Sequence, residues 1–302
     1  MNNSLINACY SSLKMIVSED SIEIETPDII RNLIIPRKAD THKGNFGHAL
    51  LIAGSKGMAG ASLLSAKACL RSGVGLLTVH SPAINNTILQ ICVPEAMVDI
   101  DRDEYYYSET VTTDKYSAVG IGPGLGRNSI SLLALERQLK MPLRSLVLDA
   151  DSLNLLSGDK ALLQLLPQAT VITPHIKELE RLVGPWKNNT QMLSMSFDFS
   201  KKYSTYIILK GSPTIIISPN GKTYINSTGN SGMSTGGSGD VLTGIVLAFL
   251  AQGYNPVDAC RISVFAHGMA GDFAAKALSE TAMVAENIID FLPETWLKLY
   301  DK

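Results

Sequence analysis

Short apolar runs that end in glycine or a polar residue alternate with longer segments of helical spacing through most of the chain. His48-Ala-Leu-Leu-Ile-Ala-Gly54 is one such run, and its lack of polar alternation predicts a strand buried on both faces. Residues 59–72, rich in Ala and Leu and closed by Gly73, predict a helix, and residues 75–80 the next strand. Residues 96–100 read as a further strand. Residues 117–121 run into Gly122-Pro-Gly-Leu-Gly126, with Asn128 placed to cap a helix over 129–139. Residues 145–150 and 169–173 repeat the strand pattern, and Pro174 suits the first turn of a helix reaching Val183. Residues 206–211 form one more strand. The period then changes, because residues 213–218 and 223–227 flank Pro219-Asn220-Gly221, a hairpin signal. Helices follow over 240–252 and 256–278, and again from Met283 onward. Strands alternating with helices imply an α/β, three-layer αβα fold on a mostly parallel sheet, with the late hairpin adding an antiparallel portion toward one edge. Residues 1–26 show no clear periodicity and read as an N-terminal extension or docking arm. Residues 27–302 read as a single domain.

Composition narrows the function classes. The 302 residues are 45% hydrophobic and 18% charged, with a formal net charge of -2 and no Lys/Arg run, which argues against a nucleic-acid surface. Cys9, Cys69, Cys92 and Cys260 are scattered without a C-x-x-C pair, as expected of free thiols in a reducing cytoplasm. Asn7, Ser11, Ser12 and Lys14 interrupt the first apolar residues, against a signal peptide, and no uncharged stretch is long enough to span a bilayer. The expectation is a cytoplasmic protein with no membrane partner.

Sites in parallel α/β sheets lie beyond the carboxyl ends of the strands. Gly54-Ser55, Gly122 to Gly126, Asp149 and Asp151, Thr173-Pro174-His175 and Lys210-Gly211 all fall there. The segment Ser234-Thr-Gly-Gly-Ser-Gly-Asp240 precedes a long apolar run and reads as a loop feeding the start of a buried helix. Such a start offers free amides to a phosphate, and glycines allow close approach. A carboxylate at Asp240 would repel that phosphate unless it handles a proton or a metal; the bland alternative is an ordinary acidic residue in a first turn. Gly120-Ile-Gly-Pro-Gly-Leu-Gly126 is either a loop touching a ligand or a tight turn ahead of Asn128, and it comes too late in the chain for a first-strand dinucleotide fingerprint. Lys210 to Thr214 either hold an adenine or ribose or form a plain β-turn. Lys43 meets a phosphate or faces solvent.

No G-x-x-x-x-G-K-[ST] and no G-x-S-x-G occur, and no Cys lies near a His, which leaves little support for nucleophilic catalysis. The histidines stand too far apart for a zinc site. His267, between Phe265 and Met269, reads as a satisfied, semi-buried side chain. His175, at a strand end beside Pro174, reads as a substrate contact.

Taken together, Thr41-His-Lys-Gly-Asn-Phe-Gly-His48, Ala53-Gly-Ser55, Ala59-Gly-Ala61, Gly120 to Gly126, Asp149-Ala-Asp-Ser-Leu-Asn154, Thr173-Pro-His175, Leu209-Lys-Gly211 and the segment from Asn230 to Asp240 resemble the ADP/ATP-dependent NAD(P)H-hydrate dehydratases, of ribokinase-like fold. The resemblance covers about residues 27–302. It departs from the family at Ser238, where a Thr is usual, and after His175, where Ile-Lys-Glu-Leu-Glu180 replaces a Pro-x-Gly-Glu wording.

The resemblance implies repair of the S epimer of hydrated NADH or NADPH (NADHX, NADPHX). The C6 hydroxyl would be phosphorylated by ADP, with ATP as the alternative donor, and the ester eliminated to restore the reduced ring. It implies Asp240, Gly237 and Gly239 as catalytic, and Ala61, Gly124, His175 and Asp240 as the hydrate site. Lys210, Gly211, Ser212, Pro213 and Thr214, with Gly239, would hold the AMP moiety. Asn230, Gly236 and Ser238 are further contacts. Mg²⁺ would accompany the nucleotide without a dedicated protein cage, and a homotetramer is implied. The rival reading is a kinase of the same fold acting on a vitamin-precursor alcohol.

Overall fold

The computed structural model describes residues 3–300. In chain order it contains α1 (Asn3–Lys14), β1 (Ile22–Ile24), α2 (Pro27–Leu33), β2 (His48–Ile52), α3 (Ala59–Arg71), β3 (Leu76–Pro82), α4 (Asn86–Cys92) and β4 (Met97–Asp101). Then come β5 (Ala118–Ile121), α5 (Ser129–Leu139), β6 (Leu146–Leu148), α6 (Asp151–Gly158), β7 (Val171–Ile172), α7 (Ile176–Val183), α8 (Asn189–Tyr203) and β8 (Tyr206–Leu209). The hairpin β9 (Ile215–Ile217) and β10 (Thr223–Ile225) precedes α9 (Ser238–Ala251), α10 (Pro256–Leu278) and α11 (Ala285–Tyr300).

All ten strands join one sheet in the order β1-β10-β9-β8-β7-β6-β5-β2-β3-β4. Pairing is parallel from β4 across to β8; β9 runs antiparallel to both β8 and β10, as the hairpin signal predicts. Two apolar clusters occupy the two faces. One is built on Leu51, Val79, Val147 and α9, the other on Leu50, Ile52, Ile121 and Leu148. Adjacent strand residues therefore point into opposite layers, which is why the strands carry no polar alternation. The central α9 is apolar all round, and buried from Val241 to Ala251, as a helix enclosed by sheet and helices must be. Its packing on α3 is so close that a Cβ on Gly244 would come 2.1 Å from the Ser65 carbonyl oxygen.

Three elements precede the first strand that the pattern predicts. The strand β1 pairs in parallel with β10, Ile22 to Thr223 and Ile24 to Ile225. Glu25, almost fully buried, forms an ion pair with Arg261 of α10. Leu13 of α1 enters the apolar cluster that contains Ile52. These segments are short, and their apolar residues face a surface already made by later chain, so no local period marks them. The helix α8 also escapes the pattern, because Ser, Asn and Lys dilute its apolar face.

Candidate active site

The strand ends β6, β7 and β8 and the start of α9 enclose a cavity of about 690 Å³, lined among others by Asp149, His175, Glu178, Lys210, Thr214, Asn230, Ser238, Asp240 and His267. The loop before α9 forms one wall. Gly237 sits at φ 90°, a conformation that admits glycine, and a Cβ there would meet Leu64 Cδ1 at 2.4 Å. The turn brings Ser238, Gly239 and Asp240 into the first turn of α9, whose amides have no helical partner. Ser65 of α3 donates to the Asp240 carbonyl at 2.9 Å, fixing that turn against the neighbouring helix.

Lys210 carries the positive charge. Its Nζ lies 2.8 Å from Asp149 Oδ1 and 3.8 Å from Glu178 Oε2. Thr243, a lone hydroxyl within the apolar body of α9, stands 2.6 Å from Asp149 Oδ2 and 3.2 Å from the Gly239 carbonyl oxygen. Asp149 is 1% exposed and thus held by a cation on one oxygen and a hydroxyl on the other. Ala150, next in sequence, is at φ 51°, an unfavourable conformation for a residue with a Cβ. That turn lets Asp149 face the cavity while Asp151 accepts from the Gly126 amide at 2.9 Å.

Asp240 has no cation of its own within ion-pair distance among the described residues. Burial and the nearby Asp149 carboxylate raise its pKa, Lys210 offsets part of this, and the result is pushed up to about 7. An acid at that value exchanges protons readily near neutrality. His175 caps α7: its Nδ1 accepts from the Lys177 and Glu178 amides at 3.1 and 3.2 Å, which places the proton of the neutral ring on Nε2. Burial and the Lys210 charge lower its pKa, so the ring is neutral. His267 Nε2 donates to the Ser238 carbonyl at 2.9 Å, and burial drops its pKa to about 4.

The predicted residues divide between several places. His175, Lys210, Gly211, Ser212, Thr214, Asn230, Gly237, Ser238, Gly239 and Asp240 line the large cavity together. Pro213 lines instead a smaller cavity of about 320 Å³ beneath α1, which shares Lys210, Gly211 and Ser212 as a partition. Gly236 is exposed beside the loop. Ala61 and Gly124 meet each other one helical turn beyond Ser65, where a Cβ on Gly124 would lie 2.9 Å from that of Ala61. Asn230 is occupied in shaping the loop, with Nδ2 on Asp272 at 2.9 Å and Oδ1 accepting from the Gly232 amide.

Glu178, Thr243, Ser65 and His267 belong to the site and were not singled out for it by sequence. Thr243 carries a signal, a lone hydroxyl inside a run of apolar residues. Ser65 and Glu178 carry none, since each reads as an ordinary helix residue.

Mg²⁺ finds no cage here: among the described residues no three His, Cys, Asp or Glu side chains converge, and Asp149 is already engaged by Lys210 and Thr243. A metal arriving with a nucleotide would be held by phosphate oxygens and water.

The family model for NAD(P)H-hydrate dehydratase matches residues 49–294. The chain is similar to the ADP-dependent (S)-NAD(P)H-hydrate dehydratase of Bacillus subtilis, 31% identical over 274 residues that cover 90% of this chain and 96% of that one. It is 35% identical over 273 residues to the bifunctional NAD(P)H-hydrate repair enzyme of Moorella thermoacetica, covering 87% of this chain and 52% of the relative, so it spans about half the length of the bifunctional proteins it matches. Among solved structures it is similar to the Bacillus subtilis ADP/ATP-dependent NAD(P)H-hydrate dehydratase co-crystallized with ATP/Mg²⁺ (TM-score 0.79, 28% identity, 92% and 98% covered). It is also similar to a ribokinase-like superfamily protein of Enterococcus faecalis (TM-score 0.82, 30% identity, 95% and 99% covered). The long match, the ribokinase-like sheet and the glycine-led start of α9 agree, and the chain belongs to the NAD(P)H-hydrate dehydratase family.

Proposed function

We propose that this protein is a nucleotide-dependent (S)-NAD(P)H-hydrate dehydratase that returns hydrated NADH or NADPH to the reduced cofactor. The observation that carries the reading is Asp240: a carboxyl with pKa about 7, in the first turn of α9, beside backbone amides suited to a phosphoryl group. Pure nucleotide binding gains nothing from a carboxylate there. A reaction that removes a hydroxyl proton while phosphate charge moves does gain from it.

In this reading the hydrate's C6 hydroxyl loses its proton to Asp240 as it attacks the terminal phosphorus of ADP, with AMP leaving. The C6–O bond of the phosphate ester then breaks, pushed by the ring nitrogen's electron pair, and inorganic phosphate leaves. A proton is lost from C5 to phosphate or water, which restores the C5–C6 double bond of the reduced ring. The amides of Gly237, Ser238 and Gly239 receive the shifting phosphoryl charge. Lys210 supplies the cation facing the same space, and Gly211, Ser212, Pro213 and Thr214 hold the AMP moiety. His175 donates from Nε2 to the hydrate, with Ala61 and Gly124 flanking the nicotinamide end. Asn230, Gly236 and Ser238 set the loop around both ligands. Mg²⁺, when bound to the nucleotide, neutralises phosphate charge. Residues 27–302 act as one catalytic domain on which residues 1–26 dock, in the cytoplasm and as a homotetramer.

ADP is favoured as the phosphoryl donor by the name of the Bacillus subtilis relative, and the co-crystallized structure keeps ATP in the comparison. The test is to incubate the chain with hydrated NADH, Mg²⁺ and either nucleotide, and follow the reduced-nicotinamide absorbance. Recovery with ADP in preference to ATP is expected. No recovery with either nucleotide, together with phosphorylation of a pyrimidine or thiazole alcohol, would establish the kinase instead.

A further inference from the structure

A Lys-Tyr pair lies outside the cavity, in the loops that follow β2 and β4 at the same carboxyl edge of the sheet. Lys56 Nζ stands 4.2 Å from the centre of the Tyr105 ring, and the Lys56 amide donates to the Tyr105 carbonyl at 2.9 Å. Lys56 is exposed and has no acidic partner among the described residues, although Asp and Glu are common nearby.

The loop that presents Tyr105 is stiff. Asp101, 2% exposed, accepts from the amides of Asp103 and Ser108 at 2.8 Å each, and His80 joins it from the sheet at 2.9 Å. Asp103 in turn accepts from the amides of Tyr105 and Tyr106 at 2.8 and 2.9 Å. A surface loop held from within by two carboxylates keeps its aromatic side chain in one place, which recognition requires.

Packed contacts connect Asp240 to the neighbourhood of this pair. Ser65 touches the Asp240 carbonyl, and Ala61 lies one turn back along α3, about 6 Å away by helical rise. Ala61 abuts Gly124, whose carbonyl accepts from Ser55 at 2.8 Å, and Lys56 follows Ser55 directly. Along this path a methyl group placed on Gly57 or Gly60 would meet no heavy atom within 4 Å, so there is room above the backbone. The cavity itself offers a dinucleotide little positive charge, because Lys210 is shared with Asp149 and Glu178.

We propose that Lys56 and Tyr105 hold the diphosphate and adenosine half of the dinucleotide substrate, Lys56 against phosphate and Tyr105 against the adenine face, while the hydrated ring sits at Asp240. The inference rests on the reaction proposed above. A cation and an aromatic ring, paired at the same sheet edge as the chemistry, match a ligand that is anionic in its middle and flat at its end. They determine which substrate is retained and leave the phosphoryl step alone.

The test compares Lys56→Ala and Tyr105→Leu with the parent chain, each first checked for an unchanged melting temperature. For hydrated NADH each variant raises KM by about 10-fold, the effect of losing one exposed charged or stacking contact, while kcat and the KM for ADP stay within about twofold. With hydrated reduced nicotinamide mononucleotide, which lacks the adenosine half but keeps one phosphate, Tyr105→Leu coincides with the parent. An unchanged KM for hydrated NADH in both variants, or an equal loss in Tyr105→Leu with the mononucleotide, overturns the assignment. If the parent turns over no hydrate, the reaction at Asp240 is what has failed. The pair is then decided by fluorescence titration with NAD⁺, where weaker binding by Lys56→Ala supports it and equal binding refutes it.

Discussion

Lys210 Nζ rests 2.8 Å from the Asp149 carboxylate, and the same ammonium lies 3.2 Å from where a Cβ on Gly239 would be. One side chain thus neutralises a buried acid and closes on the backbone of the α9 start. A phosphate arriving at that start meets Lys210 already in place, and Asp149 keeps it there.

Removing that cation strands Asp149. Lys210→Met leaves a carboxylate that is 1% exposed with only Thr243 as partner, and is expected to cost about 3 kcal/mol, the scale for breaking a buried pair from one side. Denaturant melts measure it. Because Lys210 also holds down the Asp240 pKa, the acid limb of the pH–rate profile moves to higher pH in this variant. An unmoved limb shows that the two groups do not interact.

On the proposed reaction, turnover requires Asp240 to be ionised so that it can take the proton of the hydroxyl as that hydroxyl attacks phosphorus. With its pKa near 7, kcat/KM for the hydrate rises from pH 6 to pH 8 with an inflection near 7. Stability runs the other way. A carboxyl raised in the folded state favours folding below its unfolded pKa, and that advantage is lost as pH climbs toward the folded value. Asp240→Asn is therefore expected to melt a few degrees higher than the parent at pH 8 and nearly level with it at pH 4, by scanning calorimetry.

Thr243→Val keeps the shape of α9 and removes the hydroxyl that serves Asp149. Leaving a buried acceptor short of a partner costs about 1–3 kcal/mol, read from chemical denaturation. Activity falls with it, since Asp149 then draws more heavily on Lys210.

Gly244→Ala tests the contact between α9 and α3. A methyl 2.1 Å from the Ser65 carbonyl oxygen forces the helices apart, at a cost of about 1–3 kcal/mol. The shift is transmitted through the Ser65 hydroxyl to Asp240, so kcat drops while ADP affinity is retained. Normal kcat in a destabilised variant would separate packing from catalysis.

Sequence legibility followed burial. The strands β2, β5 and β6 are enclosed on both faces and read clearly as apolar runs, and Asn220-Gly221 marked the hairpin. The start of α9 read as a loop feeding a helix because five glycine or serine residues between Ser234 and Gly239 precede a long, mainly apolar segment. The strand β1 and the helix α1 did not read, because their apolar residues complete surfaces made by residues far along the chain. Within the site, Asp240 stood out as a carboxylate where an anion was expected. The pairing of Asp149 with Lys210 did not, since 61 positions separate them and only the sheet order brings β6 and β8 to either side of β7. Ala61 lies in the first turn of α3 and Gly124 in the loop after β5, and their adjacency likewise exists only in the fold.

The most direct measurement is single-turnover recovery of reduced-nicotinamide absorbance from hydrated NADH by Asp240→Asn, set beside its ADP affinity from calorimetric titration. If Asp240 takes the hydroxyl proton, ADP binding stays close to that of the parent and the rate falls by at least about 100-fold. A rate within a few-fold of the parent, with ADP still bound, would show that the proton leaves by another route.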